Sequence, residues 1–151
     1  MALEILHNRA LTHENEQFRR VVEIIENTFS RLKYDGLLIG NPYNEQYSRF
    51  RADAILFYNN GIVVIDFKDY QGNIKLPSNE NEFHTSTWYN ESEKDRSRLE
   101  IKAGSRFVNP FRQLAYYRNA FREVIEKDMY LNGTLNPSRV CIANFFRDQL
   151  K

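Results

Sequence analysis

Cysteine is almost missing from this chain. Cys141 stands alone among 151 residues, so no internal disulfide can close and no cysteine zinc cluster can assemble. The three histidines, His7, His13 and His84, are too dispersed to supply one instead. No apolar run approaches the ~20 residues that cross a bilayer, and Met1-Ala2-Leu3-Glu4 does not begin a signal peptide. A cytoplasmic protein with no membrane partner is expected. A glycine-rich loop with Lys-Ser/Thr, a dinucleotide fingerprint and a nucleophile elbow are all lacking, which leaves NTP hydrolysis, hydride transfer and acyl transfer without support. Charge of one sign is lacking too. The formal net charge is only +1, so attraction to a polyanion must come from a local basic patch. Repeats and low-complexity tracts are absent.

What is present fits one compact domain of α/β or α+β type, since 42% hydrophobic and 27% charged residues over this length are enough for a real core. The chain is organised around a hairpin. Residues 54–58 and 62–67 are β-branched, aliphatic or aromatic with few polar breaks, and Asn59-Asn60-Gly61 between them is hairpin turn chemistry. Asp53, Asp66 and Lys68 are the polar exceptions. Strand side chains alternate faces, so Asp66 and Lys68 project from one side with Phe67 on the other. A two-residue loop at Asn59-Asn60 pairs Asp53 with Asp66, and one at Asn60-Gly61 pairs it with Lys68. A three-residue loop with Gly61 in a left-handed bulge would place Asp53 opposite Phe67 instead. Two carboxylates at the end of an apolar strand pair repel and lose hydration, so they call for a cation. A hard divalent ion on carboxylate oxygens is the usual one, and Lys68 would then contact a phosphate or an attacking water.

Residues 12–33 read as an amphipathic helix with Thr12 as N-cap and Phe18, Val21, Val22, Ile25, Phe29 and Leu32 on one stripe. At about 100° per residue, Glu14 falls about 40° from the stripe centre and Glu16 about 160° away, so Glu14 turns toward the sheet. A solvated Glu14 favouring the helix dipole is the alternative. Asp35-Gly36 ends the helix region and Leu37-Leu38-Ile39 is a short strand. Arg51 shares a face with Asp53, where it meets either a phosphate or, like Arg49, a surface ion partner. Beyond Lys68, Ile74-Lys75-Leu76 is expected to continue the sheet until Pro77. Residues 78–98 read as the least ordered stretch, with Trp88 and Tyr89 as core or as a stacking surface. Leu99 to Phe107 reads as a strand carrying Lys102 and Arg106. Asn109 caps a second helix with Pro110 at its first position. Leu114, Tyr117, Phe121 and Val124 form its buried face, Gln113 lies one residue off it, and Arg112 and Arg118 add basic character. Val140-Cys141-Ile142-Ala143, then Phe145-Phe146, read as a final buried strand, and the chain is either a minimal domain or a fragment with its continuation missing.

An Asp, a turn and Asp-x-Lys resemble the core of the PD-(D/E)xK nucleases. The wider set, Arg51-Ala52-Asp53, then Asp66-Phe67-Lys68-Asp69-Tyr70-Gln71-Gly72, then Asn109-Pro110-Phe111-Arg112-Gln113, is similar to the nuclease-related domain family within them. Members usually carry Glu where Asp66 stands, a change that shortens the ligand by one methylene and keeps its charge. The resemblance spans most of the chain. It implies a restriction-endonuclease-like fold, a mixed central sheet flanked by helices, and a metal-dependent nuclease acting on DNA in processing, repair or defence. Asp53 and Asp66 would hold Mg²⁺ or Mn²⁺, with Lys68, Glu14 and Gln113 completing the catalytic set. Arg51, Arg112, Lys102 and Arg106 would contact nucleic acid. The family's domain fusions further imply a covalently attached helicase or ATPase region. A catalytically weak nucleic-acid-binding or protein-docking module on such a machine is the competing reading.

Overall fold

The computed structural model describes residues 3–8, 12–59, 61–70, 72–92, 94–104 and 106–146, the side chains of residues 12–15 excepted. Five strands form the central mixed sheet. They are β1 (Leu3–His7), β2 (Gly36–Gly40), β3 (Ala54–Tyr58), β4 (Gly61–Lys68) and β8 (Val140–Phe146), and they lie side by side in that order. The β1–β2 and β4–β8 pairs are parallel, while β2–β3 and β3–β4 are antiparallel. Helix α1 (Thr12–Leu32) joins β1 to β2. The expected α+β architecture is therefore present, with a helix on each face of the sheet and an arrangement consistent with a restriction-endonuclease-like core.

Alternation along the strands sorts the apolar residues into two cores. Phe18, Val21, Ile25 and Phe29 of α1 cover Leu38, Ala54, Leu56, Ile65 and Phe67 on one face. On the other, Leu114, Phe121, Val124 and Ile125 of α2 (Pro110–Lys127) cover Ile55, Ile62, Val64 and Val140. The end of α1 is set by its last turn. Lys33 takes a left-handed φ of 56°, and the Tyr34 N–H reaches back to the Phe29 carbonyl at 2.9 Å. Tyr34 then packs edge-on against Phe29, which completes a Schellman-type stop in which a lysine occupies the position glycine usually takes.

Tyr58 pairs with Gly61 and Ala54 with Ile65, which selects the Asn59-Asn60 turn from the three registers open to the sequence. Gly61 is thus a ladder residue. A Cβ there would stand 3.0 Å from the Arg139 carbonyl oxygen, a close approach that favours glycine.

One strand is added and three sequence expectations change. Leu3–His7 is a strand that periodicity did not reveal, because it is an edge strand whose side chains are mostly exposed. Ile74 and Lys75 belong to β5 (Asn73–Lys75), which leaves the central sheet and pairs with β6 (Tyr89–Glu91). β6 in turn pairs with β7 (Arg98–Glu100) in a separate three-stranded sheet, so only the start of the expected Leu99–Phe107 strand is one. The described part of residues 78–98 holds β6 and the start of β7. Trp88 is 6% exposed and joins Ile101 and Phe146 in a third core with Phe111 and Tyr70 against it, so Trp88 is core, whereas Tyr89 is exposed.

Asn109 ties this excursion to α2. Fully buried, it caps the helix by accepting the Arg112 N–H at 2.8 Å, and its amide donates to the carbonyls of Phe83 and Ser86 at 2.5 and 2.7 Å. Three polar groups are satisfied by one side chain. Asn109→Ala should therefore cost roughly 2–4 kcal/mol, a lost cap plus stranded buried carbonyls. Urea denaturation checks this, and a loss under half a kilocalorie would show that the clamp is dispensable.

Candidate active site

The site forms where the C-terminal end of β4 meets the first turns of α2. Asp66 is 4% exposed, and burial of a lone carboxylate is costly. Its compensation is internal: Lys68 Nζ stands 2.8 Å from Asp66 Oδ2. That contact is an ion pair without the alignment of a hydrogen bond. The aligned donation from Lys68 goes to Gln113 Oε1, at 2.7 Å. An ammonium only donates, so it fixes which end of the Gln113 amide faces it. The other end, Nε2, points to the Tyr117 hydroxyl at 3.4 Å. Gly104, at a left-handed φ of 67°, passes close to the same amide, 3.6 Å from Nε2 to the Cβ it lacks. The two carboxylates thus do not wait for an external counter-charge, as the sequence alone suggested, since Lys68 already neutralises one of them.

Asp53 sits where the β3–β4 ladder breaks off. Its N–H bonds to the Ile65 carbonyl at 3.1 Å, although Ile65 is already the partner of Ala54. Its carboxylate replaces the next backbone bond by accepting the Phe67 N–H at 2.7 Å. Asp53 is therefore anchored to the one residue that separates Asp66 from Lys68. Tyr117 registers both carboxylates. Burial raises its phenol pKa above the usual tyrosine value; the Gln113 bond opposes this, the charges of Asp66 and then Asp53 raise it, and Arg106 lowers it.

Two residues join this group that the sequence did not single out. In the sequence Tyr117 belongs to the apolar face of α2, which its ring serves. Asn144 stands between Ala143 and Phe145. It is level with Asp66 across the parallel β4–β8 ladder, hence on the same face, and its Oδ1 is buried without a hydrogen-bond partner. A polar residue inside an otherwise apolar strand was the available signal, and that strand, expected to be buried throughout, is buried only at Val140 and Phe146. Among the described residues no three His, Cys, Asp or Glu side chains form a metal cluster. The donors present are the carboxylates of Asp53 and Asp66 and the orphaned Asn144 oxygen. All are hard oxygens, and this set suits Mg²⁺ or Mn²⁺ rather than a soft metal.

The other expected residues are dispersed. The Glu14 side chain lies outside the described residues. Gln17 and Phe18, one turn further along α1, are buried, whereas Glu16 is exposed and paired with Arg20 at 2.9 Å. Arg51 bonds to the Ser48 carbonyl at 3.0 Å and lies 4.7 Å from the Tyr43 ring centre. Arg49 pairs with Glu123. Lys102 is exposed, with its N–H on the Tyr70 hydroxyl. Arg106 and Arg112 line a groove beside α2. No helix among the described residues is long and apolar enough to cross a membrane.

A family model described as a nuclease-related domain matches residues 12–142, a span holding every residue of the candidate site except Asn144. No curated protein and no solved structure matches the chain.

Lys68→Met would leave Asp66 buried and unpaired, with an expected loss of about 3–5 kcal/mol. Adding Asp66→Leu should return most of it, as read by chemical denaturation of the single and double variants. Additive losses would mean that the two side chains do not depend on each other. The Tyr117 phenol should titrate above the ordinary value of about 10. Its contribution to stability is then complete below that pH and is lost as the pH rises through the folded-state value. Following the Tyr117 ring carbon by NMR, Asp66→Asn should lower that pKa. An unmoved value would show that the Asp66 charge does not reach the phenol.

Proposed function

Because the chain belongs to the nuclease-related domain family, we propose that it is a divalent-metal-dependent nuclease that hydrolyses phosphodiester bonds of DNA. The observation that carries this reading is the ammonium of Lys68 held between Asp66 at 2.8 Å and Gln113 at 2.7 Å. Asp53, Asp66 and the carbonyl oxygen of Asn144 would hold Mg²⁺ or Mn²⁺, and such an ion, when bound, polarises a phosphate and lowers the pKa of a water.

The remaining roles fall to the chain's own groups. Lys68 has three donors, of which Gln113 engages one while the Asp66 carboxylate pairs with the ammonium's charge. The remaining donor capacity serves a phosphate oxygen or orients the attacking water, and the two fixed contacts spare the side chain the entropy of finding that position. Gln113 is a positioning residue, since it acts through the ammonium. Tyr117, kept protonated across the neutral range, is a donor beside it. Glu14, near the start of α1, is the remaining carboxylate of the catalytic set by helical phase and by the family resemblance. Work in DNA processing, repair or defence, alongside an attached helicase or ATPase region, fits this chemistry.

Supercoiled plasmid should be cut with Mg²⁺ or Mn²⁺ and remain intact in EDTA. Asp53→Asn, Asp66→Asn and Lys68→Ala should each slow cutting by at least ~10²-fold, the scale of a lost transition-state contact. Either carboxamide variant should also abolish the metal-induced rise in Tm that linkage predicts for the parent. Glu14→Gln should slow cutting more than Glu16→Gln, whose parent side chain is spent on Arg20. Neither cutting nor a Tm shift at millimolar ion would leave the docking module as the surviving reading.

A further inference from the structure

A second feature lies next to the site. Arg106, Arg112 and Arg118 line a groove of about 650 Å³ between the early turns of α2 and residues 84–85 and 106–108, and no Asp or Glu lines it. Three positive charges are thus concentrated in a chain whose formal net charge is +1. Among the described residues none of the three is in an ion pair. Arg118 shows the consequence: burial and then the neighbouring Arg122 lower its pKa, and its Nε is buried without a hydrogen-bond partner. Guanidiniums left uncompensated in one concave place are suited to an anionic ligand. Their planar forks fit phosphate.

The groove is aromatic as well as basic. Phe107 and Tyr116 stand 5.3 Å apart, and the Arg106 guanidinium lies 5.6 and 5.4 Å from their ring centres. Rings beside guanidiniums bind unpaired bases, because every base has a π-face to stack. A duplex presents its phosphates and keeps its base faces inside, so these rings would have nothing to do. The groove also leads to the candidate site. Phe107 and Tyr116 stand 6.2 and 6.1 Å from Tyr117, whose phenol is within electrostatic reach of Asp66, Asp53 and Arg106.

We propose that this groove holds a single-stranded stretch of nucleic acid, its phosphates on Arg106, Arg112 and Arg118 and its bases against Tyr116 and Phe107, and leads it past Tyr117 to Lys68. The destination rests on the nuclease reading; the binding does not. The test is therefore made without metal, by fluorescence anisotropy of the full chain in EDTA, with a labelled oligo(dT) and a labelled blunt hairpin duplex. Oligo(dT) should bind more tightly than the hairpin. Tyr116→Ala should weaken oligo(dT) roughly tenfold or more, the loss of one stacked base, and Tyr116→Phe should retain the affinity. Arg112→Ala, at an exposed position that leaves the fold intact, should weaken both probes and reduce the salt slope by about one. Equal or tighter binding of the hairpin, or an oligo(dT) affinity indifferent to a folded Tyr116→Ala variant, overturns the proposal. A chain that cuts plasmid without this preference fails here alone, and one that binds as expected but never cuts contradicts only the nuclease reading.

Discussion

A carboxylate at the end of a buried strand needs a cation, and in this protein the ammonium two residues further along the same strand provides it. Asp66 lies inside the core formed by β4, β8 and α2, where an uncompensated charge would outweigh the burial of several apolar neighbours. Lys68 reaches back to it at 2.8 Å and is itself fixed by Gln113. Strand alternation puts both charges on the α2 side, and the capped start of α2 puts Gln113 within reach. A metal ion entering this place would meet a carboxylate already neutralised. Under the proposed function its binding would involve displacing or sharing an existing ion pair, which works against tight affinity.

The position of Gln113 depends in turn on the small sheet. Asn109 begins α2 and at the same time holds the carbonyls of Phe83 and Ser86. The rings of Phe83, Trp88 and Phe111 pack on one another just beyond it. The β5–β7 excursion thus acts as a buttress that sets where the first turn of α2 lies relative to β4. A substitution in that cluster, far from any reacting group, would be transmitted to the Lys68–Gln113 contact through the helix start.

Charge is arranged to match. Acidic groups gather at Asp53 and Asp66, and the arginines beside α2 have no acidic neighbours lining their groove. Tyr117 lies between the two regions and responds to both. A chain of nearly zero net charge can in this way present a strongly positive surface locally, while long-range attraction to nucleic acid stays weak.

Much of this was legible in the residues themselves. Period-two alternation marked β3 and β4, the three-and-four spacing marked α1 and α2, and Asn109-Pro110 marked a helix start. These signals are local, because side-chain direction within a strand or helix follows from backbone geometry alone. The union of Asp66 with Lys68 was foreseeable for that reason. Other features depended on contacts between distant segments. The hairpin register was open until the β3–β4 pairing set Tyr58 opposite Gly61, and Asp53 was ambiguous until its carboxylate took the Phe67 N–H. Asn144 became a neighbour of Asp66 only through a parallel pairing across more than seventy residues, for which no local pattern exists. The β5–β7 sheet was obscured because its strands are short and polar and depend on the aromatic cluster beneath them rather than on their own periodicity. The sequence by itself determined the elements and the chemistry each carries; the tertiary structure decided which of those groups meet, since pairing energies between remote strands are settled only once both are packed against the same core.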